Sequence, residues 1–180
     1  MFCLQNKNNK AFTLLELLVV IAIIGILTSV ILASLENVRA RARDAAKNEE
    51  ARQIIVALEM YYQTYGGFPS NNAISTGTNR CLGFNTGEFC LGSSRQGNTD
   101  LNLEIRKFMP GLSANRSPVP SNLIGIWYSC NGFNFINSNS MCTGYVLTWH
   151  LSSSIGNCAG GLEPETVIDG VERCRHTSAN

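Results

Sequence analysis

From Phe12 to Leu35 nearly every position is apolar, and Glu16 is the single charge. Residues 17–35 form an uncharged run of 19. As an α-helix this run measures roughly 28 Å, close to the ~30 Å hydrocarbon core of a bilayer. It predicts a membrane-spanning helix. A cleaved secretory signal has a shorter apolar region that ends at a small-residue site. Ala33-Ser34-Leu35 is a faint echo of such a site, but the run continues straight into polar helical sequence.

"ENVRARARDAAKNEEARQIIVALEMYYQTY" (36–65) holds neither Gly nor Pro and is dense in Ala, Arg, Glu, Leu and Met, all good helix formers. Its apolar positions are Val38, Ala42, Ala45, Ala51, Ile54/Ile55, Leu58, Tyr61/Tyr62 and Tyr65. They recur with the spacing of one helix face. Gly66-Gly67 and then Pro69 predict the stop. A single helix over 12–65 would be about 80 Å long. Its first half is apolar all round, and its second half has one apolar stripe that calls for a globular partner.

The remainder, 66–180, supplies that partner. "NLIGIWYSC" (122–130) and "GYVLTWHLSSS" (144–154) read as strands rich in β-branched and aromatic residues. An Asn/Gly/Ser-rich connection lies between them, flanked by Cys130 and Cys142. The expected fold is α+β: a long N-terminal helix whose amphipathic half packs on a small antiparallel sheet with disulfide-stapled loops.

Composition then narrows the chemistry. Fourteen basic residues against 13 acidic ones leave no basic excess of the kind that marks a nucleic-acid surface. Cys3 lies in the polar N-terminal tip, and Cys81, Cys90, Cys130, Cys142, Cys158 and Cys174 all fall in the last hundred residues. Zinc sites want close C-x₂₋₄-C pairs. These cysteines stand nine or more apart, and His150 and His176 are not at ligand spacing. The pattern points to disulfides formed on an oxidising side of a membrane. Six cysteines allow fifteen connectivities; sequential pairing (81–90, 130–142, 158–174) is the expectation adopted. Lys7 and Lys10 before the apolar run favour a cytoplasmic N-terminus, whereas Arg39, Arg41 and Arg43 after it pull the other way. The cysteines decide for N-in.

The stretch "KAFTLLELLVVIAIIGILTS" resembles the N-terminus of type IV pilins and of the pseudopilins of type II secretion systems. A short basic leader, a Phe-Thr-Leu-x-Glu start and a run ending in "IAIIGIL" carry the resemblance. The Ala/Arg-rich helix that follows, closed by Tyr-x-x-x-Gly and Phe-Pro-type residues, extends it over roughly residues 7–70. The resemblance implies a leader at 1–11, a transmembrane and filament-core helix at 12–35, an amphipathic helix half at 36–65 and a β-rich domain at 66–180. It implies cleavage between Ala11 and Phe12 by a membrane prepilin peptidase, which also N-methylates Phe12, leaving a mature chain of 169 residues. Two features depart from the family pattern. Ala11 stands where Gly is usual, and Ala33 stands where a late proline is often found, which predicts a less kinked helix.

An unpaired carboxylate in an apolar surround costs several kcal/mol, so Glu16 must be neutralised or find a cation. The resemblance implies the Phe12 amine of a neighbouring subunit. The implied function is a structural one: a subunit of a helical surface or periplasm-spanning filament, in the inner membrane before assembly and extracellular or periplasmic afterwards. Its implied partners are further copies of itself, the peptidase/N-methyltransferase, an inner-membrane assembly platform and lipid. A type IV pilus subunit is favoured slightly over a secretion pseudopilin. A membrane-anchored extracytoplasmic binding or enzymatic domain is the alternative from another class.

No phosphate loop, Ser/His/Asp pattern or zinc-protease motif occurs, so no catalysis and no cofactor are expected. Arg39, Arg41 and Arg43 read as partners for lipid headgroups or for neighbours' Asp44, Glu49 and Glu50, or as a solvated helix face. His150 reads as an ordinary strand residue, and the tyrosines at 61, 62 and 65 as packing. The acidic "LEPETVIDGVE" (162–172) offers Glu163, Glu165 and Asp169 as Ca²⁺ oxygens, but their spacing matches no defined loop.

Overall fold

The helix predicted over 12–65 forms as α1, Leu14–Tyr65, without interruption at Ala33. The computed structural model describes residues 12–70, 79–90, 95–114, 124–136, 139–152, 158, 163–168 and 171–178, with the side chains of 30, 32–34, 79, 131–136, 139–140, 163–168 and 171 left aside. Among the described residues no helix is long and apolar enough to cross a membrane. α1 ends where sequence chemistry requires. Gly66 takes φ +77° and its N–H donates to the Tyr62 carbonyl at 2.8 Å, a left-handed cap that any side chain would strain.

The chain divides into two units, 1–39 and 40–180. In the first, the side chains of α1 from Leu14 to Leu27 are exposed on every side. Thr28 and Ser29 turn their hydroxyls back onto the carbonyls of Ile24 and Ile26, each at 2.7 Å. Their polarity is thereby satisfied within the helix, as an apolar surround demands.

The second unit is built on a five-stranded antiparallel sheet in the order β1-β4-β5-β7-β6. The strands are β1 (Asn79–Cys81), β4 (Ile126–Ile136), β5 (Asn139–His150), β6 (Glu163–Ile168) and β7 (Val171–Thr177). β2 (Phe89–Cys90) and β3 (Arg95–Gln96) pair as a small ribbon, and α2 covers Thr99–Arg106. Directly opposed residues share a face of an antiparallel sheet. The rows Ile126–Trp149–Cys174 and Tyr128–Leu147–His176 therefore lie on one side. There Tyr128, Leu147 and Trp149 join Ala51, Ile54, Ala57 and Leu58 of α1 in the main core. Trp127 lies on the opposite side, in a second cluster with Cys81, Phe84 and Cys90.

Three expectations change here. First, the connection between the two predicted strands is not a loop, because β4 and β5 pair as far as Ile136 and Asn139. A hairpin ladder is made of backbone groups, so Asn, Ser and Gly do not stop it. Second, the acidic tail segment is largely strand. Glu163 stands opposite Arg175 and Glu165 opposite Arg173, while Asp169 lies outside the described residues. Third, the buried stripe of α1 is rotated from the apolar one. Ala42 and Ala45 are exposed, and Asp44, Lys47 and Asn48 are buried in their place. Stepping back seven residues from Ala51, Ile54 and Ile55 reaches those three polar positions.

Candidate functional site

The start of α1 is locally determined. Thr13 is its N-cap and Glu16 its third residue, the T-x-x-E pattern of a capping box. The Glu16 N–H donates to Thr13 Oγ1 at 3.2 Å. In return Glu16 Oε2 accepts from the Thr13 N–H at 3.1 Å and from its hydroxyl at 3.0 Å. The carboxylate also sits in the first turn, where the helix dipole favours an anion. Both bonds fall on Oε2; among the described residues Oε1 accepts none. Thr13 was not singled out from the sequence, although the four-residue spacing of "TLLE" was the available signal. Phe12, adjacent to this cap, is 81% exposed. Ala11, the other half of the expected cleavage site, lies outside the described residues.

Residues 6–32 match the family model described as the prokaryotic N-terminal methylation motif. The chain carries that motif. Over 67 or 68 residues it is also similar to type IV major pilins. A fimbrial protein of Neisseria meningitidis serogroup A is 42% identical over 68 residues, 38% of this chain and 40% of the relative. The major pilin PilE1 of Neisseria gonorrhoeae is 40% identical over 68 residues, 38% of this chain and 41% of the relative. The wide-pilus major component PilA4 of Thermus thermophilus is 40% identical over 67 residues, 37% of this chain and 51% of the relative. The chain thus spans about two fifths to half the length of these relatives. No solved structure matches it.

Beyond the methylation motif, the six C-terminal cysteines are joined as Cys81–Cys90, Cys130–Cys142 and Cys158–Cys174. Cys81–Cys90 ties β1 to β2, Cys130–Cys142 closes the β4–β5 hairpin, and Cys158–Cys174 fastens the segment after β5 to β7. Cys3 lies outside the described residues.

The rotated face of α1 makes a polar clamp on the end of β5. Lys47 Nζ donates to the His150 carbonyl at 3.0 Å. The Trp149 indole N–H donates to Asn48 Oδ1 at 2.8 Å, and the Ser152 N–H donates to Asp44 Oδ1 at 2.5 Å. Burial pushes the Lys47 amine down to about 8, against the opposing pull of Asp44 and Glu50. Burial also pushes His150 down to about 4, helped by the positive charges of Lys47 and Arg173. Asp44, expected on the surface as a partner for neighbouring subunits, is instead committed to this clamp. Arg39, Arg41 and Arg43 are exposed. Arg52 and Glu49 approach to 4.0 Å on the open surface, a contact of little energetic weight.

Proposed function

We propose that the chain is a structural subunit of a helical, type IV pilus-like filament, held in the inner membrane by residues 12–35 until it polymerises. The observation that carries this reading is the apolar helix Leu14–Leu27, exposed on all sides around one capped carboxylate. Each such side chain gains roughly 1.5–3 kcal/mol on leaving water. A helix apolar all round therefore needs lipid or other helices about it, and the stretch lies within the methylation motif, residues 6–32. Residues 1–11 act as the leader and are removed between Ala11 and Phe12 by a prepilin peptidase that methylates the new amine. The N-terminus begins on the cytoplasmic side, and an inner-membrane platform assembles the copies. Residues 66–180 form the filament exterior.

Glu16 pairs with the Phe12 amine of a neighbouring copy. The capping box supports this, because it holds the carboxylate through Oε2 and leaves Oε1 to meet an incoming ammonium. Removing either charge would leave the other buried without a partner. Two measurements test the reading. Mass spectrometry of purified protein is expected to find a methylated Phe12 at the N-terminus. Glu16→Leu is expected to leave the chain processed and membrane-inserted but to abolish filaments. Normal filament yield from Glu16→Leu would sink the pairing and favour a plain membrane anchor.

A further inference from the structure

Three arginines come directly after the uncharged run of 17–35. Arg39, Arg41 and Arg43 stand four, six and eight residues beyond Leu35, on the same uninterrupted helix. At 1.5 Å per residue those steps are roughly 6, 9 and 12 Å along the helix. The polar headgroup layer of a bilayer extends roughly 5–7 Å beyond the hydrocarbon on each side. Arg39 therefore falls at headgroup level, and the long stems of Arg41 and Arg43 can lean back to it. All three arginines are exposed, and among the described residues none has an ion pair or a hydrogen bond. Glu36 is the one acid in residues 35–43. Arg39 and Arg43, four apart, share a side of the helix, whereas Arg41 lies on about the opposite one. The positive charge forms a collar, not a stripe.

We infer that this collar binds the phosphate groups of anionic phospholipids around the membrane-inserted chain. The inference rests on the membrane reading of residues 12–35 given above. Lipid surrounds an inserted helix, so its headgroups reach Arg41 as readily as Arg39 and Arg43. A carboxylate on a neighbouring protein meets one side of the helix only. Several acids that could serve in its place are also engaged already. Asp44 accepts from the Ser152 N–H, and Glu49 stands 4.0 Å from Arg52. Glu104 accepts from both Lys107 and Tyr61. Guanidinium matches phosphate in charge and in the fork of its donors. Each basic residue near an anionic membrane surface raises affinity about fivefold, so three of them outweigh the single Glu36.

The test uses the full chain inserted in vesicles of equal parts phosphatidylglycerol and phosphatidylcholine. Native mass spectrometry of the chain released with its bound lipid then counts each adduct. Phosphatidylglycerol is expected to exceed phosphatidylcholine about fivefold or more. Arg39→Gln/Arg41→Gln/Arg43→Gln should bring the ratio close to one and still insert, since fewer positive charges have to cross. The corresponding triple lysine variant should keep most of the preference, because the charge remains. Millimolar inorganic phosphate should leave the ratio unchanged; loss of the preference in phosphate would mean a site for free anions and overturn the lipid assignment. Equal adducts on the wild-type chain would overturn the collar and leave the filament reading standing. So would an unchanged ratio in the glutamine variant, and if that variant also lost filaments, neighbours' acids would be the partners. A wild-type chain that carbonate extracts from the vesicles would overturn the membrane reading and the collar with it.

Discussion

Lys47 and His150 show how a residue's surroundings decide its chemistry. A lysine at 2% exposure is tolerated because its stem lies in the core and its amine reaches one carbonyl, yet burial still disfavours its charge. With the folded pKa at about 8 against an unfolded value of 10.5, the unfolded chain holds a proton between those values that the folded chain has released. Stability should therefore rise as pH climbs from about 8 to 10.5, by roughly 3 kcal/mol at most. Urea unfolding of the full chain in detergent, followed by tryptophan fluorescence, checks this; Lys47→Met should flatten the rise. His150 gives the acid counterpart. Its folded pKa near 4 lies below the unfolded 6.5, so stability should be lost as pH falls from about 6.5 to 4. His150 Nδ1 is buried with no hydrogen-bond partner among the described residues, so His150→Phe should remove that loss. An unchanged acid limb in the variant would refute the assignment.

At the level of elements, α1 has local ends and a non-local face. Thr13, Glu16 and Gly66 set where it begins and stops, and all three are legible in sequence, because caps involve neighbours within four residues. At Gly66 an added Cβ would meet nothing within 4 Å, so Gly66→Ala should cost only the left-handed backbone penalty, about 1–2 kcal/mol. Leu58→Ala, by contrast, should cost about 2–5 kcal/mol through the cavity it leaves in the main core. Both costs are readable from the same urea curves. The face of α1 is not legible from hydrophobicity alone. Ala42 and Ala45 are small and indifferent to exposure, whereas Asp44, Lys47 and Asn48 are buried by bonds to residues more than 100 positions away. The full length of the hairpin is hidden for a related reason, since the many polar side chains in 131–140 conceal a backbone ladder.

For the whole molecule, the disulfides and the N-terminal motif combine into one chemical signature. Six cysteines are paired within residues 40–180, and Cys3 lies in the segment proposed to be removed. Alkylation without reductant should therefore label the uncleaved chain once, at Cys3, and the processed chain not at all; labelling of the six would contradict the pairing. Opening Cys158–Cys174 should cost about 3 kcal/mol on chain-entropy grounds, seen as an earlier urea midpoint in a Cys158→Ser/Cys174→Ser variant.

The sequence by itself determined the apolar run, the single carboxylate in it, the methylation motif, the helix that continues to Tyr65 and the α+β class. Each depends on side-chain period, helix propensity or a cap, interactions that close within a turn or two of chain. Tertiary structure alone decided that the polar trio of α1 faces the sheet and that β4 and β5 run on through Asn and Ser. It also decided that Trp127 packs against the disulfide ribbon on the far side. Those outcomes depend on which distant segment arrives to accept a proton or cover a ring, and period and propensity carry no information about that arrival.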